Sequence, residues 1–276
     1  MKWEDISKAI NFLLTGQFCR VWNEVHVRFY RAVWELLFAF ILPFRCAGRS
    51  RNNAPMACST AHPVAFESPD HLAPKGTAEN NSTNKKFVLH MDAKLSREFG
   101  RENLRFMDLG CSGGQLVADF MKLQWSSVGL EGSDFSLKQR RANWARLAGT
   151  HLFTCDITKP YQVEQGGCPA RFHLITAWEV MEHIATSDIG SVFNNIVKHL
   201  EVGGYFIAST TETTDIHNGL ELHQTRWTNA TWCAYVHDHF SELEPVDVGL
   251  KIYQYVRYNF RHPSFLVYRK RNAVLK

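Results

Sequence analysis

Short apolar segments alternate with segments of helical length between residues 104 and 209, and this alternation restricts the fold more than any other feature of the chain. The apolar segments are LRFMDLG, SSVGLEGS, HLFTCDIT, RFHLITAW and GGYFIAST, and the helical ones are GQLVADFMKL, SLKQRRANWARLA and DIGSVFNNIVKHL. Short buried strands joined by helices predict a parallel sheet that is covered on both faces, with right-handed crossovers. We therefore predict an α/β fold with a Rossmann-like, doubly wound sheet.

The junction after the first predicted strand is rich in small residues, in the sequence DLGCSGG. Ligands of open α/β sheets bind beyond the carboxyl ends of the strands, and glycine lets the backbone approach a ligand closely. The second strand ends in Glu131, where a carboxylate can accept hydrogen bonds from both hydroxyls of a ribose. The third ends in Asp156, where an acceptor suits an adenine amino group. Together these positions predict a ligand that contains adenosine.

Details of the loop distinguish between two adenosine cofactors. The pattern Asp108-x-Gly110-x-Ser112-x-Gly114 differs from the Gly-x-Gly-x-x-Gly pattern that holds a dinucleotide pyrophosphate. An aspartate at the strand end would also repel phosphate and attract a cationic amino group. An adenosine that carries an ammonium group is S-adenosylmethionine. The loop favours this cofactor, and an NAD-dependent enzyme is the third interpretation.

Four motifs in chain order, FMDLGCSGG, VGLEGSD, LFTCDIT and ITAWEVMEHI, resemble those of class I S-adenosylmethionine-dependent methyltransferases over roughly residues 88–210. The resemblance implies a seven-stranded, mostly parallel sheet, completed by strands in LEPVDVGLKI and SFLVYRKR. It also implies a set of cofactor-binding residues: Asp108, Gly110, Ser112 and Gly114 for the methionine part, Glu131 for the ribose, and Asp156 and Ile157 for the adenine. Ser112 stands where glycine is commoner, which is compatible with the family if this residue keeps a negative φ.

The segment WEVMEHI resembles the E-V-L-E-H variant found in small-molecule and glycan methyltransferases. By this resemblance, Trp178 and Glu179 would line the sulfonium end of the cofactor, and Glu182 and His183 would begin the floor of the active site. Methyl transfer to a hydroxyl requires removal of its proton, and a histidine titrates near neutral pH. We therefore take Glu182 and His183 as catalytic candidates. A structural histidine bonded to a backbone carbonyl and a substrate contact are the alternatives for His183.

Residues 210–240 interrupt the α/β alternation and are expected to lie over the strand ends, where they would select the substrate. This insertion supplies His223 as a third catalytic candidate. His217, Trp227 and Trp232 are candidate substrate contacts, since aromatic rings suit the face of a sugar. Histidine and glutamate are also metal ligands, but no pair here has the spacing of a helical metal motif, and we predict no metal.

The predicted acceptor is a hydroxyl on a sugar, a lipid-linked glycan or a small metabolite. PDHLAPKGT and ELHQTRWTNATW are similar to parts of methyltransferases encoded among bacterial surface-polysaccharide genes. A catalytically silent module that binds the cofactor is the alternative.

Residues 1–50 form a separate segment that we predict to be helical. Glu24, Arg28, Arg31 and Glu35 would lie on one polar stripe of a helix, followed by an apolar run from Leu36 to Phe44 in which Pro43 ends the helix. That run is shorter than the ~20 residues that span a bilayer. Residues 24–45 are expected to pack on the body, to form a homodimer or to lie on a membrane surface.

Residues 51–86 are polar and rich in Asn, Ser, Pro and Ala, which is typical of a linker or of an arm that folds over the cofactor. This segment contributes His71 and Lys75 as further substrate candidates. Residues 87–276 are assigned to the methyltransferase domain.

Charge and cysteine content restrict the partners and the compartment. Of the 31 basic and 27 acidic residues, eight and four lie in residues 1–51, so the remainder of the chain has no net charge. A neutral body argues against a nucleic-acid-binding surface. The seven cysteines include no CxxC pair, and the N-terminus MKWEDISKAI is unlike a signal peptide. We therefore expect a cytoplasmic protein with reduced thiols, either free in the cytoplasm or bound to a membrane surface.

Overall fold

The computed structural model describes residues 18–50, 54–74, 83–257 and 264–271. Its helices are α1 (Phe18–Cys46), α2 (Pro69–Leu72), α3 (Lys85–Phe99), α4 (Gln115–Lys122), α5 (Phe135–Lys138), α6 (Trp144–Leu147), α7 (Ile189–His199) and α8 (Asn229–His239). Its strands are β1 (Met56–Thr60), β2 (Arg105–Leu109), β3 (Ser126–Glu131), β4 (Leu152–Thr154), β5 (Tyr161–Gln165), β6 (Cys168–Pro169), β7 (Phe172–Ala177), β8 (Leu200–Ser209), β9 (Ile216–His217), β10 (Leu220–Glu221), β11 (Leu243–Pro245) and β12 (Phe265–Lys270). Short 3-10 turns lie at Met181–His183, Thr186–Asp188 and Ile252–Gln254.

A seven-stranded sheet with the order β11-β12-β8-β7-β2-β3-β4 forms the centre of the protein. The five neighbouring strands β8, β7, β2, β3 and β4 are parallel, and β12 pairs antiparallel with both β8 and β11. The predicted doubly wound, seven-stranded α/β fold is therefore confirmed, with β11 and β12 inside the two segments proposed from the sequence. The carboxyl ends of β2, β3, β4 and β7 meet at one edge, where the candidate site lies.

Side chains of the central strands alternate between two hydrophobic clusters, one on each face of the sheet. On β2, Met107 and Leu109 belong to one cluster, and Phe106 belongs to the other. This follows from the two-residue period of a strand. All three side chains are fully buried, and burial of a side chain of this size stabilises the fold by about 1.5–3 kcal/mol. Asp108 is also buried, and it lies near the carboxyl edge of the sheet because it is the last residue but one of β2.

The segment SLKQRRANWARLA was predicted to be one helix, and this prediction is wrong. The structure has two four-residue helices, α5 and α6, separated by Arg140 and Ala142, whose φ values are 48°. The interruption lets the N–H of Asn143 donate to the carbonyl of Gly113 at 3.1 Å. Contacts with the glycine loop thus override the local helical preference.

A second sheet, with the order β1-β5-β6, lies beside the main one and was not predicted. Strand β1 falls within residues 51–86 and pairs antiparallel with β5 from Met56 to Thr60. β5 and β6 are joined by Gly166 and Gly167, both with positive φ. A Gly-Gly pair between alternating residues is a recognised hairpin signal, so this hairpin was visible in the sequence.

Helix α1 packs on the body of the protein. Phe38 is buried against the cluster that contains Phe87, and Arg49, just beyond the helix, forms a buried ion pair with Asp92 at 2.7 Å. The helix was predicted to end at Pro43, but it continues to Cys46, whose thiol donates to the carbonyl of Lys122 at 3.1 Å. Contacts with the body thus hold the last turn in place. Among the described helices, none is both long and apolar enough to cross a bilayer.

Candidate active site

The glycine-rich loop between β2 and α4 requires unusual backbone geometry. Gly110 has φ of 65°, and a Cβ there would clash with the side chain of Val180. Gly114 has φ of 74°, and a Cβ there would clash with the side chain of Leu152. Both residues must therefore be glycine, because a side chain would meet packed atoms as well as backbone strain.

Ser112 does not meet the condition of a negative φ under which serine would fit the family pattern, since its φ is 45°. Three contacts hold it there. Its hydroxyl accepts a hydrogen bond from Arg141 Nη2 at 2.8 Å, and its carbonyl accepts one from Trp144 Nε1 at 2.5 Å. Its N–H donates to Glu131 at 2.7 Å. Strained backbone of this kind is stable only where the surroundings determine it, and it is common at functional sites.

Glu131 supports the loop from the end of β3. Its carboxylate accepts the N–H of Ser112 and, at 3.3 Å, the N–H of Ser133. Burial raises its pKa to about 7, although these two hydrogen bonds act in the opposite direction. On the neighbouring strand, Asp108 accepts a hydrogen bond from the hydroxyl of Thr176 at 2.6 Å. Burial, with a contribution from the charge of Glu131, raises the pKa of Asp108 to about 7.

The third strand end carries Asp156 and Ile157. One oxygen of Asp156 accepts hydrogen bonds from the N–H and the hydroxyl of Thr158, at 2.9 and 2.6 Å. The N–H of Asp156 donates to the carbonyl of His62 at 2.9 Å. Ile157 is almost completely buried in the core. Asp156 is thus held in a turn at the edge of the sheet, against the segment that precedes α2.

Trp178 and Glu179 follow β7. The ring of Trp178 is buried and meets Phe87 edge to face, with the ring centroids 5.3 Å apart. Glu179 has φ of 56°, and its N–H donates to the hydroxyl of Ser209, which in turn donates to the Glu179 carboxylate at 3.0 Å. The end of β8 therefore determines the position of Glu179.

The three catalytic candidates lie together, although Glu182 and His183 follow β7 and His223 lies in the insertion. One ligand atom from each of the three residues lies within 4.8 Å of the others. The two imidazole rings meet edge to face with their centroids 4.8 Å apart. The side chain of Glu182 has no exposed surface. Burial raises the pKa of Glu182 to about 8, with a further contribution from the charge of Glu179.

His183 also contacts a residue that sequence analysis missed. Its Nδ1 lies 3.0 Å from a carboxylate oxygen of Asp70, at ion-pair distance but without hydrogen-bond alignment. Burial alone would lower the pKa of His183, but Asp70, Glu182 and Glu179 together raise it. Asp70 lies on α2, whose N-cap is Ser68. The Ser-Pro-Asp sequence is a helix-start signal, but no local pattern indicates what Asp70 would meet.

The segment 54–74 lies across the carboxyl ends of β3 and β4. The N–H of Ala65 donates to the carbonyl of Gly132 at 2.9 Å, next to Glu131. His71 contacts the ring of Phe66 edge to face at 5.2 Å between centroids. Lys75 lies outside the described residues.

The insertion places its aromatic candidates in different surroundings. His217 lies on the β9–β10 hairpin and is partly exposed. Trp227 is half-buried and packs against Trp232, with the ring centroids 4.7 Å apart. Trp232 has no exposed surface and belongs to the hydrophobic core. The assignment of Trp232 as a substrate contact is therefore wrong, because α8 turns this ring towards the sheet.

A family model described as a methyltransferase domain matches residues 82–248. The chain belongs to the methyltransferase-domain family. Of the two adenosine cofactors that the loop left open, only S-adenosylmethionine carries a methyl group that such a domain can transfer, so S-adenosylmethionine is the methyl donor.

The methyltransferase domain is also similar to curated relatives. It is 28% identical over 107 residues to the ubiquinone biosynthesis O-methyltransferase of Nitrobacter winogradskyi, covering 39% of this chain and 38% of the relative. It is 28% identical over 127 residues to the enzyme of the same name from Chelativorans sp., covering 45% and 46% of the two chains. The chain thus spans less than half the length of the curated relatives it matches.

Among solved structures, the domain is similar to an amino pentose methyltransferase from Micromonospora echinaspora, bound to S-adenosylmethionine. The TM-score is 0.46 and the identity 15%, over 72% of this chain and 95% of that one. It is also similar to a 1,6-didemethyltoxoflavin N1-methyltransferase from Burkholderia thailandensis. Here the TM-score is 0.48 and the identity 16%, over 74% and 84% of the chains.

Proposed function

We propose that the protein transfers the methyl group of S-adenosylmethionine to a hydroxyl oxygen of a small-molecule acceptor. The observation that carries this proposal is the cluster of Glu182, His183 and His223 at the edge that also holds the glycine loop. Val180, two residues before Glu182, packs against Gly110. A methyl group presented from the loop side would therefore lie near groups that can activate an acceptor hydroxyl.

The proposed cofactor contacts follow the order of the strands. Asp108, Gly110, Ser112 and Gly114 bind the methionine part, Glu131 the ribose, Asp156 and Ile157 the adenine, and Trp178 and Glu179 the sulfonium end. The raised pKa values of Asp108 and Glu131 support this assignment. A buried carboxyl group gains most from a bound cation or hydrogen-bond donor, and the cofactor supplies an ammonium group and two hydroxyls.

In its simplest form, the reaction uses His183 as the base. The acceptor oxygen attacks the methyl carbon, the carbon–sulfur bond breaks with its electron pair on sulfur, and the hydroxyl proton passes to the imidazole. Asp70 would stabilise the resulting imidazolium at 3.0 Å. Orientation of the oxygen in line with the carbon–sulfur bond supplies the rest of the catalysis.

The curated relatives are O-methyltransferases, which supports an oxygen acceptor. The burial of Trp232 removes one of the two aromatic rings that suggested a sugar-binding surface. Sugar and glycan hydroxyls are therefore tested beside phenolic and aliphatic hydroxyls rather than favoured over them.

Calorimetric titration of S-adenosylmethionine and S-adenosylhomocysteine tests the cofactor site. We expect Glu131→Ala to weaken binding by about tenfold or more, or about 1.4 kcal/mol. Glu102→Ala removes a carboxylate from the exposed loop before β2 and should leave binding unchanged. Lack of binding to the intact chain would contradict the proposal. Cofactor binding without turnover of any hydroxyl acceptor would instead support the catalytically silent module.

We further infer that α1 rests on a lipid surface. Val25, Phe29, Leu36, Phe40 and Phe44 are all exposed, and their spacing places them on the side of the helix opposite Phe38. Residues 1–51 also carry the excess positive charge of the chain, which complements anionic lipid. An exposed apolar stripe with basic residues is typical of an interfacial helix.

Flotation with anionic and with neutral vesicles tests this contact. We expect the chain to float with anionic vesicles, and the double variant Phe29→Ser, Phe40→Ser to remain in the soluble fraction. Val202→Ser, an exposed apolar residue on the main sheet, is the control. If the intact chain does not float and light scattering shows a dimer that the double variant loses, α1 is a dimer contact instead.

A further inference from the structure

A general base at His183 does not account for the buried glutamate at position 182. It is fully buried, and among the described residues neither carboxylate oxygen has a hydrogen-bond partner. The charges of Glu179 and Asp70 also disfavour its ionised form, whereas the charge of His183 favours it. A buried carboxyl group without a partner must stay protonated unless a cation compensates its charge, because the unpaired anion costs several kcal/mol. A base mechanism needs neither this glutamate nor His223.

The distances within the cluster suit a metal ion. One ligand atom each from Glu182, His183 and His223 lies within 4.8 Å of the other two. Nitrogen and oxygen ligands lie about 2.0–2.2 Å from a zinc-type ion, so two ligands of one ion are separated by about 3–4 Å. Small side-chain rotations therefore suffice to close the three groups around one ion.

Both histidines have a partner on Nδ1, which leaves Nε2 for a ligand. Nδ1 of His223 lies 2.6 Å from the carbonyl of Thr213, and Nδ1 of His183 lies 3.0 Å from Asp70. A histidine that binds a metal through one nitrogen commonly faces a carbonyl or a carboxylate with the other. Such partners set the orientation of the ring and increase its basicity.

Hydrogen bonds join the two loops that carry the cluster. The N–H of Thr225 donates to the carbonyl of Glu182 at 3.0 Å, and its hydroxyl donates to the carbonyl of Ile184 at 2.7 Å. The hydroxyls of Thr225 and Thr186 are also 2.9 Å apart. The loop after β7 and the insertion thus form one platform, and pre-positioned ligands of this kind favour metal binding.

We propose that Glu182, His183 and His223 bind one divalent first-row transition-metal ion, and that its open positions bind two neighbouring oxygens of the acceptor. Two imidazoles and one carboxylate suit Zn²⁺, Mn²⁺, Fe²⁺ or Co²⁺, whereas Mg²⁺ and Ca²⁺ prefer oxygen ligands. The acceptor class is therefore a catechol or another compound with adjacent hydroxyls. This acceptor assignment rests on the proposed methyltransferase function, whereas the metal site does not.

The metal changes the fate of the hydroxyl proton. A Lewis-acidic ion lowers the pKa of a bound hydroxyl, so the acceptor coordinates as its oxyanion and the proton leaves to solvent. The oxyanion then attacks the methyl carbon, the carbon–sulfur bond breaks with its electron pair on sulfur, and S-adenosylhomocysteine and a methyl ether result. His183 acts as a ligand in this scheme rather than as the base.

Titration of tag-free, chelator-treated protein with Co²⁺ tests the site, followed by visible absorption, with Zn²⁺ and Mg²⁺ titrated by calorimetry. We expect one Co²⁺ or Zn²⁺ per chain and much weaker binding of Mg²⁺. His223→Ala and Glu182→Gln should each weaken Co²⁺ binding by about tenfold or more. His237→Ala is the control, because that side chain is 86% exposed on α8 and pairs with the adjacent Asp238.

Titration of S-adenosylhomocysteine into the same samples separates the two proposals. Cofactor binding without Co²⁺ or Zn²⁺ binding overturns the metal site and leaves the methyltransferase function standing. Metal binding without cofactor binding does the reverse. Unchanged metal affinity in both ligand variants also overturns the assignment.

The acceptor class is tested on the Co²⁺ form. 3,4-Dihydroxybenzoate should shift the Co²⁺ absorption, and 4-hydroxybenzoate, which has a single phenolic hydroxyl, should not. Equal shifts, or no shift with either compound, would overturn binding through two adjacent oxygens.

Discussion

Glu131 and Glu182 are both buried glutamates at the carboxyl edge of one sheet, but their surroundings differ. Glu131 accepts two backbone N–H groups and has a pKa of about 7. Glu182 has no hydrogen-bond partner among the described residues and a pKa of about 8. The protein itself satisfies the first carboxyl group and uses it to hold the loop. The second group has no such partner in the described part of the chain, and we propose a metal ion as its partner.

The largest expected effect comes from Glu182→Gln, which keeps the shape of the side chain and removes its charge. We expect methyl transfer to fall by about a hundredfold or more, since removal of one activating group commonly costs 10²–10⁴. Affinity for S-adenosylhomocysteine should remain within a few-fold of the parent. Single-turnover kinetics beside calorimetry measures both, and equal loss of binding and rate would show that the two carboxyl groups do not differ in role.

Gly110→Ala should produce the next largest effect, on the loop that Glu131 supports. The added Cβ meets Val180 and stands at φ of 65°. We expect a loss of about 1–3 kcal/mol in unfolding free energy, together with weaker cofactor binding. Gly149→Ala is the matched control, because Gly149 has φ of 73° with no atom within 4 Å of its Cβ position. If both variants lose the same stability and affinity, the contact with Val180 is unimportant.

Cofactor binding should depend on pH. If an ionised Asp108 binds the ammonium group, a pKa of about 7 means that affinity rises by about tenfold between pH 6 and pH 8. The stability of the free protein should change with pH in the opposite direction to its affinity for the cofactor. Carboxyl groups with a folded-state pKa above the usual value of about 4 make the fold less stable as pH rises from about 4 to about 7. Asp108→Asn should flatten the binding profile, and an unchanged profile would contradict the assignment.

Trp144→Phe should have the smallest effect. It removes the hydrogen bond from Nε1 to the carbonyl of Ser112 and keeps most of the buried ring. We expect a loss of about 1 kcal/mol in unfolding free energy and a few-fold loss of cofactor affinity. Trp125→Phe is the comparison, because it removes a hydrogen bond to Asp92 on α3 and none to the glycine loop. Similar losses of affinity in the two variants would show that Trp144 does not act through the loop.

The positions of Asp108, Glu131 and Asp156 at one edge could be predicted because the signals for them are local. Each strand is a short apolar run, and the residue at its end follows directly in the chain. Asp108, Glu131 and Asp156 therefore reach the same edge once the strands are parallel. The φ of Ser112 could not be predicted in this way, since Arg141, Trp144 and Glu131 determine it from other elements.

By itself, the sequence determined the α/β fold and the position of the glycine loop, and its resemblance to a methyltransferase family implied the seven strands and the cofactor. The period of apolar residues and the small residues of the loop act over a few neighbouring positions, so the chain order contains them. Only the tertiary structure decided that His223 meets His183, 40 positions away, that Asp70 joins them and that Trp232 is buried. These contacts depend on how the arm and the insertion fold over the edge of the sheet, and long-range packing and hydrogen bonds set that arrangement.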